Sequence, residues 1–447
     1  MATASLRRIH LDSFKSFQRE HLDLAGVTVL TGRNSAGKSN ALDAIEVLAR
    51  LADGDDLHEA LDGRGRDGDG VRGGARGCAP HRENTFSLGC TASVGKDLYR
   101  LELTVEVEPV LRIVRESLWG PAPAAESRKV ESHWLMVTRP SDQSHPGLSA
   151  EIYNGKRGPN PIQQFRDDRL LTLQLAARMN TKHRVEAAVL RGAEAVTSAL
   201  RGAFHLDPVP HLMRGYVPER DVLLRRTAEN VSAAVHRLET DDPAAHAAVT
   251  AAVQRVTDRQ LRSLVSVVSP LGDVMLGVDE GVSGDEPDIT PAREMSDGLL
   301  RFLAVATAMR TAGQRLDIDA LQSLTGVEPG VLLVVEEIEN GLHPAQADHL
   351  LELIRGAASP PSTRILITTH SPALLNALTG ELNESVVVCY RDAATGHSRL
   401  SRAIDLPGYV KALAAGDMGD AISRGQLVAP RTETRDLGAL AHLIGRG

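Results

Sequence analysis

Residues 32–39 read Gly32-Arg33-Asn34-Ser35-Ala36-Gly37-Lys38-Ser39, the G-x-x-x-x-G-K-[ST] spacing of a phosphate-binding loop. Glycines at those two places let the backbone curl until successive N–H groups face an anion. Lys38 can then set its ammonium against the β- and γ-phosphates, and Ser39 can offer a hydroxyl to Mg2+. A glycine-rich turn could carry a lysine by accident, but lysine is scarce here, with seven in 447 residues. The flanks argue the same way. Val27, Val29 and Leu30 read as a strand before the loop, and Asn40 to Leu51 read as a helix after it. This spacing implies a nucleoside triphosphate as ligand.

Three further sites fit that chemistry. Val331-Leu332-Leu333-Val334-Val335-Glu336-Glu337 reads as a buried parallel strand with acids at its C-terminal end, where open α/β sheets bind ligands. Glu336 would hold Mg2+, directly or through water, and Glu337 would orient or deprotonate the attacking water. Alone, such a strand could equally have a solvated acidic exit; the phosphate loop decides for function. Ile365-Leu366-Ile367-Thr368-Thr369-His370 is another buried strand, ending in a histidine able to bond the γ-phosphate and the catalytic water. An isolated histidine there would be a cap; its place about thirty residues after the acids favours the sensor role. Upstream, Ser296-Asp297-Gly298 opens a helix, with Ser296 as N-cap, and a helix N-terminus can meet an anion.

The elements that must position these groups follow an order. Residues 5–30 are strand-like and lead into the phosphate loop. Residues 52–82 are rich in glycine and charge and read as a mobile loop. Alternating segments at 85–94, 98–108 and 130–137 predict an antiparallel meander, with loops at 121–125 and 140–147. Helical periodicity is expected over 164–179, 185–203, 221–238 and 244–261, then strand-like residues at 264–278. An α/β pattern runs from Glu294, with helices at 344–356 and 372–379. Three lobes are expected: 1–160 with the phosphate loop and meander, an inserted helical lobe at 161–262, and 263–447 with the acidic and histidine motifs.

Composition narrows the class. The formal net charge is −8, so no global basic field advertises nucleic-acid binding, although a local patch is left open. Cys78, Cys90 and Cys389 have no metal-type spacing and suit a reducing cytosol. No signal-peptide pattern and no apolar run of about 18 residues is seen. The expectation is a soluble cytoplasmic protein with no membrane partner.

Together these motifs resemble the ABC-class P-loop ATPases of the SMC, RecF and overcoming-lysogenization-defect (OLD-like) group, including AAA-family ATPases of bacterial anti-phage defence. The resemblance runs through Phe14-Lys15-Ser16-Phe17, the phosphate loop with Asn40 after it, and Ser296-Asp297-Gly298. It continues through Glu336-Glu337-Ile338-Glu339-Asn340-Gly341-Leu342-His343-Pro344 and Thr368-Thr369-His370-Ser371-Pro372. It covers about residues 5–50 and 290–375, and touches the middle only at Asp207-Pro208 and Met213-Arg214. Two departures stand out. No glutamine matches the Q-loop, and no long coiled-coil arm exists, which weakens a cohesin-like tethering role. The resemblance implies an α/β P-loop NTPase head with an antiparallel β subdomain and an inserted helical lid. It also implies ATP as substrate, Mg2+ as cofactor, and an ATP-sandwiched homodimer or higher oligomer. In that sandwich residues 32–40 of one chain would face Ser296-Asp297-Gly298 of the other, and hydrolysis would release the pair.

Relatives often carry a Toprim nuclease after the histidine motif. Here about 75 residues follow His370, fewer than the roughly one hundred such a domain takes, and no carboxylate cluster is seen among them. The expected function is therefore a Mg2+-dependent ATPase whose cycle gates a separate effector, a nuclease or toxin, in anti-phage defence or DNA maintenance. Two alternatives stay open: a RecF-like repair or recombination ATPase, and a slowly hydrolysing assembly scaffold.

Overall fold

Val27–Thr31, Val331–Val335 and Thr363–Thr369 are buried along their whole length, as strands covered on both faces must be. They form the centre of a computed structural model that describes residues 2–63, 70–125, 129–139, 147–257, 261–281, 287–311, 315–318, 323–340, 343, 346–357, 362–378 and 380–428. The elements used below are, in chain order, β1 (Ala2–Phe14), β2 (Phe17–Asp23), β3 (Val27–Thr31), α1 (Lys38–Asp53), β4 (Thr85–Val94), β5 (Asp97–Glu106), β6 (Arg112–Pro123), β7 (Val130–Thr138), β8 (Leu148–Ile152) and β9 (Ile162–Phe165). They continue with α2 (Arg184–Arg201), β10 (Ala203–Leu206), α3 (Val231–Asp241), α4 (Pro243–Val256), α5 (Asp297–Thr311), β11 (Val331–Val335), α6 (Ala347–Ala357), β12 (Thr363–Thr369), α7 (Pro372–Ala377), β13 (Val386–Arg391) and β14 (Ser398–Arg402).

One sheet carries both halves of the protein. Its parallel part runs β10, β11, β12, β3, β13; β14, β2 and β1 then lead into the antiparallel series β4 to β9. The phosphate-loop strand β3 thus lies beside the histidine strand β12, with the acidic strand β11 next. All three end on the same edge, so their C-terminal residues converge. One apolar core lies under α1 and α2 against the antiparallel strands. A second lies on the other face, among α3, α4, α5 and α6.

The expected meander is present but longer, with β6, β8 and β9 added to it. β6 runs through Pro121, which lies opposite Ser132 of β7, where the segment from Pro121 reads as a loop. The segment 164–179, expected as one helix, is instead the end of β9 followed by a short helical turn, Leu171–Gln174 running on as 3-10 helix through Leu175–Ala177. The buried carboxylate of Glu116 fixes that turn by accepting the N–H groups of Leu171 and Thr172, both at 2.7 Å. The helix expected from Asp221 begins only at Val231, because Asn230 Nδ2 holds the carbonyls of Asp221 and Leu223 in a turn. Residues 52–63 and 70–82 are not a bare loop: Leu57, Ala60 and Leu61 of a short helix are buried, while 64–69 lie outside the described residues. So do Pro140 to Pro146 and, within the acidic motif, Gly341, Leu342 and Pro344.

The helical faces between 161 and 262 are shared out. α2 packs on α1 and on the antiparallel strands, α3 and α4 join the second core, and β10 becomes a strand of the main sheet. Among the described residues no helix is long and apolar enough to cross a membrane.

Candidate functional site: the phosphate loop and its acidic edge

The loop between β3 and α1 is held open by close backbone packing. Gly32 has φ 142°, and a Cβ there would stand 2.1 Å from the Cys389 carbonyl oxygen of β13. Gly37 has φ 122°, and its Cβ would meet Ser398 Oγ at 2.4 Å. Only glycine fits either place. Buttresses come from far along the chain. Ser398 Oγ donates to the Ala36 carbonyl and lies 2.7 Å from Ser16 Oγ, which accepts Asn40 Nδ2 at 2.8 Å. Arg391 Nε donates to the Ser35 carbonyl at 3.2 Å. The N-terminus of α1, 16 residues long, therefore sits behind a preset loop and presents its first N–H groups to an anion.

Lys38 is buried, and Nζ donates to the carbonyls of Gly32 (2.9 Å) and Arg33 (3.2 Å). Burial pushes its pKa below the usual lysine range, opposed by the carboxylates of Glu337, Glu339 and Glu336.

A cavity of about 430 Å3 unites Lys38 and Ser39 with Glu336, Glu337, Thr368 and His370. Arg72 and Arg391 also line it. His205 beside Glu336 holds that carboxyl below its usual range, with Arg72 and Lys38 adding to the effect. Glu337 has φ 46°, a left-handed conformation uncommon for a side-chain-bearing residue. Its N–H is anchored on Thr368 Oγ1 at 2.9 Å. One carboxylate oxygen accepts Asn340 Nδ2 at 2.7 Å, and the other lies 3.3 Å from His370 Nε2. Glu339 ties the two strand exits together: Oε1 accepts the N–H groups of His370 (2.6 Å) and Ser371 (3.0 Å). Ser371 in turn caps α7 by accepting the Leu374 N–H. The acid exit and the histidine exit are thereby one bonded unit.

Ser296, Asp297 and Gly298 lie elsewhere. Ser296 Oγ accepts the Leu299 N–H at 3.2 Å and so caps α5. Asp297 pairs with Arg214, whose Nη1 also donates to the Met295 carbonyl at 2.8 Å. Ser296 and Asp297 are exposed, and none of the three residues is among those lining the 430 Å3 cavity. Among the described residues that line it, none is a glutamine, so the Q-loop position stays unassigned. A second cavity of about 700 Å3 adjoins the loop through Asn34, His370 and Arg391.

Sequence reading did not single out His205, Arg72, Arg391 or Ser398, since each reaches the site only through sheet order or a loop return. Glu339 was visible as the third acid of Glu336-Glu337-x-Glu339 but carried no assigned role.

A phosphate loop after β3, a histidine ending the neighbouring strand and an acid pair ending the next define a P-loop ATPase core. Residues 27–174 and 180–376 match the family described as AAA domain, putative AbiEii toxin, Type IV TA system, and the chain belongs to that family. The DNA replication and repair protein RecF of Picosynechococcus sp. is 47% identical over 47 residues, which is 10% of this chain and 12% of that protein. Among solved structures, an SMC head bound to the C-winged helix domain of ScpA is 13% identical, with a TM-score of 0.47 over 89% of this chain and 97% of that one. The SMC head domain from Thermotoga maritima is 10% identical, with a TM-score of 0.40 over 89% and 98% of the two chains. Likenesses this loose assign no residue a role.

Proposed function

We propose that this chain is a Mg2+-dependent ATPase that closes into an ATP-sandwiched dimer and gates a separate effector, a nuclease or toxin. The observation that carries the hydrolytic reading is the single cavity holding Lys38, Ser39, Glu336, Glu337 and His370. The backbone of residues 32–40 cradles the phosphates, and Lys38 exchanges its loop carbonyls for phosphate oxygens. The donor set suits Mg2+, a hard cation that takes one or two protein oxygens together with phosphates and waters; here those oxygens are the Ser39 hydroxyl and the Glu336 carboxylate. When bound, the cation neutralises charge developing on the β- and γ-phosphates. Glu337 accepts the proton of the attacking water, and its strained backbone, the Asn340 contact and the His370 contact fix where that carboxylate stands. His370, clamped through its own N–H by Glu339, reads the γ-phosphate.

The dimer reading is supported by the exposure of Ser296 and Asp297 away from their own chain's cavity. A second chain can bring that helix end to the γ-phosphate; within one chain it has no such partner. The defence reading is supported by the family's description, which names a putative toxin and a toxin–antitoxin system. The short RecF likeness favours the alternative of a RecF-like repair or recombination ATPase. Phosphate release with Mg·ATP tests the first step, and light scattering with and without ATP tests the second. A monomer at every concentration and nucleotide state would sink the sandwich.

A further inference from the structure

His205 stands in β10 in parallel register with Val334 of β11, so the strand delivers it to the acidic exit. Its Nε2 lies 3.2 Å from Glu336 Oε1. That nitrogen is buried, and among the described residues it has no aligned hydrogen-bond partner; the contact with Glu336 is close but off the bonding direction. The ring otherwise sits among Leu42, Ile45, Ala203 and Val334, where an aliphatic side chain would pack without burying a polar atom. Glu46 is a further acid within its electrostatic reach. Glu46 is already engaged: its Oε1 accepts Arg50 Nε and Arg226 Nη1, both at 2.8 Å. Among the described residues, the imidazole is the one basic side chain within 4.0 Å of a Glu336 carboxylate oxygen.

We infer that His205 is a positioning residue for the metal-holding carboxylate. It engages one oxygen of Glu336 and would leave the other to hold Mg2+ beside ATP. The reason is mechanical as much as electrostatic. A carboxylate at a strand end rotates freely unless a donor fixes one oxygen, and such supporting partners are worth about 10- to 100-fold in metal affinity. The inference rests on the reading of Glu336 as the Mg2+ carboxylate.

The test compares the affinity of a fluorescent ATP analogue in Mg2+ and in EDTA, for the full chain and three variants. His205→Ala is expected to cut the Mg2+-dependent gain in affinity about tenfold while leaving the EDTA value unchanged, which also shows that the loop is intact. His205→Gln, which carries an amide nitrogen at nearly the reach of Nε2, is expected to recover most of the gain. Glu336→Gln is the reference that removes the charge itself. If Glu336→Gln loses the gain and His205→Ala keeps it within twofold, the role given to His205 is wrong. If Glu336→Gln also keeps the gain, the assignment of Glu336 fails, and the inference falls with it. Equal loss in EDTA and Mg2+ for both His205 variants would mark a packing role and overturn the proposal.

Discussion

Replacing Glu337 with Gln changes one carboxylate oxygen for an amide and leaves size and shape almost untouched. The 2.7 Å bond from Asn340 survives, because the amide oxygen can accept it, and so does the anchoring of the backbone N–H on Thr368. What disappears is the oxygen 3.3 Å from His370 that would take the proton of water. General-base catalysis contributes about 10²- to 10⁴-fold, or about 2.7–5.4 kcal/mol at 1.36 kcal/mol per decade. The expected result is therefore a kcat lower by at least a hundredfold, with KM for ATP within a few-fold of the parent. Phosphate release under saturating Mg·ATP reads the first quantity, and a titration of ATP reads the second. Slow hydrolysis should also trap the ATP state, so light scattering should show a larger dimer fraction for this variant with ATP. Hydrolysis at the parent rate would refute the role given to Glu337. A loss of ATP binding equal to the loss of turnover would move Glu337 from water activation to ligand binding.

Three other perturbations follow from the same geometry. Gly32→Ala should cost about 2–5 kcal/mol from overpacking and backbone strain and abolish nucleotide binding, whereas Gly26→Ala, with nothing within 4 Å, should be nearly silent in thermal melting. Ser296→Arg should leave ATP binding intact and remove ATP-dependent dimers in light scattering, by placing bulk and charge at the exposed α5 start; unchanged dimerisation would take from Ser296 the role of facing the partner chain's phosphate loop. Burial pushes the Glu116 carboxyl up to about 7, even though Thr172 and the backbone of Leu171 and Thr172 donate to it. The folded chain then binds more protons than the unfolded one between about pH 4.5 and 7, so stability falls as pH rises through that window, by up to about 3 kcal/mol. Denaturation midpoints at pH 5 and 8 should differ in the parent and converge in Glu116→Gln; an equal difference in both would refute it.

The parts of the site written contiguously were legible before any fold was known. Gly32 to Ser39 declares both its glycines and its lysine. Val331 to Glu337 and Ile365 to His370 each declare a buried strand with a chemical end. Their convergence follows from parallel pairing, which apolar runs of that kind require. The supports were not legible. Ser16 and Ser398, 382 positions apart in the chain, meet under the loop only because β14 lies beside β2. His205 reaches Glu336 because a four-residue strand joins the edge of the sheet after a helix packed on the opposite layer. β6 was obscured by Pro121, a residue that reads as a breaker yet sits within an antiparallel pair. Arg72 fell within a glycine- and charge-rich stretch whose composition hides that Arg72 bonds Asp43 of α1 at 3.0 Å.

The central claim is that the Gly32–Ser39 loop binds Mg·ATP for hydrolysis in the cavity it shares with Glu336, Glu337 and His370. Phosphate release by the purified full chain, measured beside Lys38→Ala, tests it most directly. Lys38 supplies the one buried ammonium that spans the loop, and its removal leaves the phosphates without that charge. The account predicts Mg2+-dependent turnover in the parent, none in EDTA, and none above background in Lys38→Ala. Turnover in Lys38→Ala at the parent rate would contradict it.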